Sequence, residues 1–526
     1  MKTLRDILGQ DDHFACGVEL VTTRGTMDES KAVRTRAFAN ELAADPRIDW
    51  VSITDNAGGN PQLSPSSLGK PMLYAGKEVV IHLSCKDFNR NGLESAAWHL
   101  ASEGFHNILA LTGDYPVTGY SGAAKPVFDI DSVGVLTLLT EMNQGLGVPL
   151  RNGASKSLNK TRFYQGAVAT NFKLHEREVI PQYLKLRKKI QCGAEFIIGQ
   201  IGFDAQKSSE MIGYMRTHGM GDVPLIGNVF VMNATLARFF HKGRIPGVVV
   251  SDGFLNYCER AGDSADKGRG FFLEFAAKQA AIFKGLGYRG VYFGGVDHAA
   301  DVDEMLRITE GFAPDDWKMF AKEIQFSRPG EFFYFAQDPD TLLADTDRLN
   351  PEYEQSLVKP PKSHNVTLGY RISKAVHDRV FMPGKAVYRL GRRLYERSAK
   401  PAQGPYPLRI LEHASKALMF GCKDCGDCSL PDTGFLCPES SCVKNQRNGP
   451  CGGTRQGRCE VEDFECIWAR AYDRAKAEGR EQQLLDFAPV IQDQSLRGTS
   501  SWGNTFRGID HHSNNPHKTD ATIHTN

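Results

Sequence analysis

The sequence predicts an α/β fold: a (β/α)8 TIM-type barrel, then a helical connector and a small cysteine-rich metal-binding domain. Three observations carry this reading. Eight short runs rich in Val, Ile and Leu recur between residues 15 and 312, each followed by a polar or Gly-containing turn and a helical stretch. No G-x-G-x-x-G follows the first run, so a doubly wound open sheet lacks its usual signature. Eight of the twelve cysteines fall between residues 422 and 466, a density that no helix or strand requires.

The runs are GVELVT (17–22), WVSITD (50–55), VVIHLS (79–84), NILALT (107–112), GAVATN (166–171), FIIGQI (196–201), PLIGNVF (224–230) and GVYFGG (290–295). Strands buried on both faces are aliphatic throughout rather than alternating, as these are. Between them, stretches such as LESAAWHLASEG (93–104) and EREVIPQYLKLRKKIQCGA (176–194) have helical periodicity. From residue 313 proline and charge rise, and basic amphipathic helices follow, including AVHDRVFMPGKAVYRLGRRLYERSAK (375–400). That segment reads as a solvated helix, with a docking face as the alternative. The expected divisions are a barrel over 1–315, a connector and helical segment over 316–410, a cysteine-rich domain over 411–490 and a disordered tail over 491–526. The histidines of the tail are assigned no function.

Composition narrows the class. With 41% hydrophobic residues, 24% charged residues and a net charge of +1, the chain lacks the footprint of a nucleic-acid binder or a polybasic membrane surface. No apolar run approaches the ~20 residues that span a bilayer. The start, MKTLRDILGQDDHFACG, has no secretory apolar core, so a cytoplasmic location is expected. A reducing compartment favours metal ligation over disulfides for Cys422, Cys425, Cys428, Cys437, Cys442, Cys451, Cys459 and Cys466. Eight thiolates match two four-ligand sites, or one site and a few bridges. The C-x2-C-x2-C spacing and the later Cys437-Pro438 favour an iron–sulfur cluster, although the eight-residue gap before Cys437 departs from the usual run and zinc is the alternative.

Chemistry in such a barrel sits at the C-terminal ends of the strands. Glu19 lies among aliphatic residues in the first run, where burial raises a carboxyl pKa toward general-acid duty. Thr54-Asp55-Asn56-Ala57-Gly58-Gly59-Asn60 follows the second run and lets backbone approach a ligand. The third run carries His82. The fourth ends in Leu111-Thr112-Gly113-Asp114-Tyr115-Pro116, and the sixth in Gln200, Phe203 and Asp204. Singly, each has an ordinary structural explanation; their recurrence on successive strand ends points to a site.

In this order the motifs resemble the methylenetetrahydrofolate reductase family of flavin-dependent barrels. Phe14-Ala15-Cys16-Gly17-Val18-Glu19 is similar to its opening strand, Ser52 to Gly58 to its S-V-T-x-G-A, and His82-Leu83-Ser84-Cys85 to its H-L-T-C. Asn107 to Pro116 resembles N-I-L-A-L-R-G-D-x-P, the most specific match, and Leu186 to Ala194 followed by Gln200 to Asp204 resembles L-K-x-K-x-x-A-G-A and T-Q-x-x-F-D. The cysteine stretch resembles a domain attached to, or produced alongside, some bacterial members. The resemblance implies FAD or FMN held by Thr54, His82, Leu111, Gly113, Asp114, His175 and Lys189. It also implies NAD(P)H as co-substrate, a folate substrate, and Glu19, Asp114 and Gln200 in catalysis. A homo-oligomer and an electron-transfer protein partner are further expectations, the latter if the cysteine module holds a cluster. This chain departs from the family pattern at Leu20-Val21-Thr22-Thr23, at Thr112 and at Asn171-Phe172. The competing expectations are a folate-binding methyltransferase or demethylation component, or an electron-transfer docking protein, without reductase activity.

Overall fold

A computed structural model describes residues 2–150, 154–243, 245, 247–398, 402 and 404–512. The chain forms two compact units, Met1–Glu354 together with Gly452–Gln456, and residues 355–451 together with 457 onward.

In the first unit all eight aliphatic runs are strands: β1 (Ala15–Leu20), β2 (Trp50–Ile53), β3 (Glu78–Ser84), β4 (Asn107–Leu111), β5 (Tyr164–Ala169), β6 (Phe196–Gly199), β7 (Leu225–Phe230) and β8 (Gly290–Gly294). They close into a parallel barrel in which each strand pairs with its neighbours in sequence and β8 returns to β1. Side chains two residues apart share a face. Ala15, Trp50, Val80, Leu109, Tyr164, Phe196, Ile226 and Tyr292 make the interior cluster. Gly17 and Glu19, Ser52, His82, Leu111 and Gln200 continue those inward positions toward the strand ends. Large rings are matched by absent ones. A Cβ on Gly17 would lie 2.2 Å from the Trp50 ring, and one on Gly166 would lie 2.2 Å from Phe196. The helix Leu4–Leu8, capped by Thr3, adds Leu4, Ile7 and Leu8 to the cluster. Its Leu4 amide donates to Glu78 at the start of β3, and Arg5 lies over the ring of Tyr164 at the start of β5. The N-terminal end of the barrel is thereby stoppered, and the C-terminal end is left for chemistry.

The helices expected between strands form at Arg90–Ser102 and Glu176–Gln191. The first compact unit does not stop near residue 315. An antiparallel ribbon, Phe335–Gln337 with Ala344–Leu349, extends it to Glu354. The ribbon region is tied to the helix Ala205–Thr217: the Tyr334 amide donates to Glu210 at 2.6 Å and the Ala344 amide to Ser209 Oγ at 2.9 Å. Nothing in the charged, proline-rich sequence there signals those partners, which lie more than a hundred residues away.

The second unit contains the helices Leu368–Val376, Ala386–Glu396, Tyr406–Phe420, Ile467–Ala477 and Ser501–Arg507. The disorder expected after residue 490 does not hold for residues 491–512. Phe506 packs against Phe381, Tyr388 and Tyr395, and Asn504 donates to the Gly426 carbonyl at 2.9 Å. One aromatic anchor and side-chain hydrogen bonds order a stretch that has no periodicity to announce it. Residues 513–526 of the expected tail lie outside the described residues. The helix Ala386–Glu396 has two apolar stripes. Tyr388, Gly391 and Tyr395 meet Phe506, while Val387, Leu390 and Leu394 are exposed. Among the described residues no helix is long and apolar enough to cross a membrane.

Candidate active site and cysteine module

Parallel register puts Glu19 level with Ser52 on β2. From the opposite neighbour, β8, the Tyr292 hydroxyl donates to Glu19 Oε1 at 2.9 Å. Tyr292 also shares a side-chain hydrogen bond with Ser52, whose Oγ lies 2.7 Å from His82 Nε2. An acid, a phenol, a hydroxyl and an imidazole thus form one polar layer above the apolar interior. Burial raises the Glu19 pKa, and the Tyr292 hydrogen bond opposes the rise. His82 has no such help: burial alone lowers it to about 4, so it is a neutral imidazole at ordinary pH. Gly294 is the residue that leaves room for the acid, since a Cβ there would sit 2.9 Å from Glu19 Oε2.

The loops after β2 and β4 are laced together. Asp114 accepts the Gly58 amide at 2.9 Å, and the Val117 amide donates to the Gly59 carbonyl at 3.1 Å. Gly59 has φ +73°, and a Cβ on it would lie 2.2 Å from the Tyr115 carbonyl oxygen, so only glycine permits this approach. Buried Lys86 donates to the Asn56 carbonyl at 2.7 Å, and Asp55 accepts from the Ser84 hydroxyl at 2.6 Å. Burial raises the Asp55 carboxyl, chiefly through desolvation.

The structure therefore joins Glu19 and His82 through hydrogen bonds, and links Asp114 to the loop that begins with Thr54. Thr54 is buried, and its hydroxyl has no hydrogen-bond partner. Leu111 packs against the interior cluster, and Gly113 has φ +89°. His175 and Lys189 lie at opposite ends of the helix Glu176–Gln191; the Lys189 amine donates to the Val168 carbonyl at 2.6 Å. Gln200, half-buried after β6, accepts the Ile201 amide at 2.9 Å. The departure at Asn171 has a structural partner set of its own: its amide donates to Tyr183 Oη at 3.0 Å and to the Lys207 carbonyl at 2.7 Å.

Sequence reading missed Ser52, Tyr292 and Lys173. The first two look like strand filler within aliphatic runs. Lys173 is buried and donates to the carbonyls of Gly452 and Thr454, the latter at 2.6 Å, which brings the Gly452–Gln456 loop into the barrel unit. A lysine just past a strand end carries no signal for a loop some 280 residues onward.

In the second unit the cysteines sort by mutual electrostatic influence into two sets. Cys422 and Cys425 each feel Cys428 and Cys437. Cys442 feels Cys451 and Cys459, and Cys466 feels Cys451 and Cys442. Burial and then the neighbouring thiols push Cys425 and Cys442 up to about 12. Buried Lys416 acts on Cys428 and Cys422, and buried Arg447 acts on Cys425. Backbone amides of Asp424 and Gln446 point at the sulfurs of Cys422 and Cys442, each at 3.4 Å.

A barrel with an acid at its mouth, followed by a module with two four-cysteine sets, defines a two-part class: a (β/α)8 barrel domain joined to a small cysteine-rich domain. The chain belongs to the methylenetetrahydrofolate reductase family. The family model for methylenetetrahydrofolate reductase matches residues 30–279, and that for the methylene-tetrahydrofolate reductase C terminal matches 407–494, together well over half of the chain. Methylenetetrahydrofolate reductase 2 of Saccharomyces cerevisiae is 25% identical over 202 residues, covering 37% of this chain and 30% of the yeast protein. The matched part is thus under a third of that relative. Among solved structures, an uncharacterized protein from Clostridium thermocellum that binds two copies of 5-methyl-5,6,7,8-tetrahydrofolic acid aligns with a TM-score of 0.41 at 12% identity, over 58% of this chain and 96% of its own. A 2,3-dimethylmalate lyase of the PEP mutase/isocitrate lyase superfamily aligns with a TM-score of 0.32 at 13% identity, over 62% and 95%. The family assignment rests on the two family models and not on these structural likenesses.

Proposed function

We propose that the barrel interconverts 5,10-methylenetetrahydrofolate and 5-methyltetrahydrofolate with a bound flavin, FAD or FMN. The observation that carries the reading is the inward-facing Glu19, its pKa raised by burial and its orientation fixed by Tyr292, inside a domain of this family. The fit to a flavin is supported by the unpartnered buried hydroxyl of Thr54 and by the glycine cradle at Gly58 and Gly113. A Cβ on Gly113 would press on Ser84 and Lys86 at 3.1 Å. Thr54, His82, Leu111, Gly113, Asp114, His175 and Lys189 would hold the cofactor, which supplies hydride transfer to and from the folate carbon.

The protein's own part is positional and protonic. Reduction of the methylene bridge requires its five-membered ring to open, and opening needs a proton on the departing nitrogen. Glu19 in its protonated form delivers that proton. Asp114 stabilises the positive charge that develops on the folate, and Gln200 hydrogen-bonds folate or nicotinamide in the same cleft. NAD(P)H is the proposed reductant, and the enzyme is proposed to work as a homo-oligomer.

The cysteine module favours a second route for electrons. The C-x2-C-x2-C spacing of Cys422, Cys425 and Cys428 and the later Cys437-Pro438 suit an iron–sulfur cluster, with zinc as the alternative. Leu368, Ile372, Leu390, Leu394 and Leu418 are each exposed in a segment, 368–420, with eleven Lys and Arg against three Asp and Glu. That combination suits an acidic electron-transfer protein partner.

The deciding experiment is the anaerobic visible spectrum of the purified protein before and after 5-methyltetrahydrofolate. Bleaching of a flavin band is expected. A flavin that stays oxidised sinks the folate reaction, and the lack of any flavin band favours a folate-binding methyltransferase or demethylation component. Glu19→Gln should lower folate turnover by about 10²- to 10⁴-fold while flavin reduction by nicotinamide persists; equal loss of both removes Glu19 from the acid role.

A further inference from the structure

The last described residues, His511 and His512, follow the helix Ser501–Arg507 and meet the loop between Cys428 and Cys437. His511 Nε2 lies 3.0 Å from Asp432 Oδ2, and His512 Nε2 lies 3.0 Å from Asp432 Oδ1. The two rings lie against each other with centroids 3.9 Å apart. One donor atom from each of these three side chains falls within 4.8 Å of the others, a convergence found nowhere else among the described residues.

The far side of each ring is equally informative. His511 Nδ1 is hydrogen-bonded to Asp427, and His512 Nδ1 faces Asp510 Oδ2 at 3.6 Å. Asp510 is itself held by the Thr505 hydroxyl at 2.7 Å. The side chains of Asp432 and His511 are each only 6% exposed and that of His512 is 34% exposed, so the cluster is half-buried and reaches solvent on the His512 side. A pair of simple ion pairs needs one carboxylate for each imidazole. Here three carboxylates surround two rings, and one of them is shared by both inner nitrogens. An outer carboxylate on the far nitrogen is the device that fixes the tautomer of a metal-binding histidine and aims its other lone pair inward.

We propose that Asp432, His511 and His512 form a mononuclear site for a divalent transition metal, with Asp427 and Asp510 as the outer partners of the two histidines. Two imidazoles and a carboxylate are the donors of zinc, ferrous iron or manganese rather than of calcium or magnesium, and the set contains no thiolate. It is therefore separate from the two cysteine sets. Three protein ligands leave coordination positions open for water or a small anion. Because Asp427 stands between Cys425 and Cys428 and Asp432 follows them, the ion ties the end of the described chain to the loop that carries the first cysteine set. This site does not depend on the reaction proposed for the barrel.

Manganese(II) is the suitable probe, because thiolates take it poorly. The full-length protein, purified anaerobically, is titrated with Mn(II) while the resonance of free Mn(II) is followed, and its unfolding midpoint is recorded with and without the ion. One Mn(II) per chain and a raised midpoint are expected. His512→Gln and Asp432→Asn should lose that binding while the iron and zinc content of the cysteine sets is unchanged. Asp510→Asn should weaken it by about 10- to 100-fold. A folded wild-type protein that leaves millimolar Mn(II) free overturns the proposal, as does wild-type affinity in His512→Gln and Asp432→Asn. Should either of those two variants fail to fold, the wild-type titration and Asp510→Asn decide the matter.

Discussion

Tyr292 donates its hydroxyl to Glu19 at 2.9 Å across the seam where β8 closes on β1. The pair exists only because the barrel is closed, for its members are 273 residues apart. Burial favours the protonated acid, and the phenol favours the carboxylate, so the two strands together set the proton affinity of the group proposed to protonate folate.

Removing the phenol tests that balance. Tyr292→Phe keeps the ring that stacks on Trp50 at 5.3 Å but withdraws the hydrogen bond that lowers the Glu19 pKa. The pKa then rises, and the alkaline limb of the folate half-reaction moves to higher pH. A hydrogen bond to a charged group is worth about 1.5–3 kcal/mol, which corresponds to a move of about one to two pH units. A pH–rate profile from single-turnover mixing reads it; an unmoved limb would show that Glu19 does not set the profile.

Gly294→Ala separates the site from the fold. The new Cβ would stand 2.9 Å from Glu19 Oε2. The atom it meets is the tip of a flexible side chain, so the carboxylate swings aside at little cost to stability. Folate turnover should fall at least tenfold, with an unfolding midpoint close to that of the wild type. Gly17→Ala is the contrast: its Cβ meets the Trp50 ring at 2.2 Å, and overpacking of this kind costs about 1–3 kcal/mol.

His82 gives the barrel an acid limit. Its folded pKa, lowered to about 4 by burial, lies below its ordinary 6.5. The unfolded chain therefore takes up the proton first as pH falls, and stability is lost between about 6.5 and 4. The full loss is about 3 kcal/mol, from 1.36 kcal/mol per pH unit. Urea unfolding at pH 7, 5.5 and 4.5 should show the decline, and His82→Gln should flatten it. An equal slope in the variant would assign the acid sensitivity elsewhere.

In the second unit, Lys416 is held by Glu412 at 3.2 Å and by the Ser501 hydroxyl. Lys416→Met strands the Glu412 carboxylate and should cost about 3–5 kcal/mol. Adding Glu412→Gln should recover part of that loss. The buried cation also acts on Cys422 and Cys428, so Lys416→Met should weaken retention of the metal proposed for the first cysteine set. Chemical denaturation and metal analysis of both variants check the two halves of this expectation.

The barrel was legible because each of its strands is buried on both faces and so spells out an aliphatic run. Glu19 stood out for the same reason, as an acid where no acid should be. Tyr292 and Ser52 were hidden, since an aromatic and a small hydroxyl in a strand look like packing until register shows what they face. The ribbon at 335–349 and the chain at 491–512 are held by partners distant in sequence, which leaves no local period to read. The His511–Asp432 contact spans 79 residues and joins two loops, so spacing rules for metal ligands pass over it.

The Gly452–Gln456 loop gives the chain an order of assembly. Its neighbours Cys451 and Cys459 belong to the second cysteine set, yet the loop itself is fastened to Lys173 in the barrel unit. During synthesis the barrel strands are all made before this loop emerges. The loop is thus the last part of the barrel unit to be made, and no single break in the chain separates the two compact units.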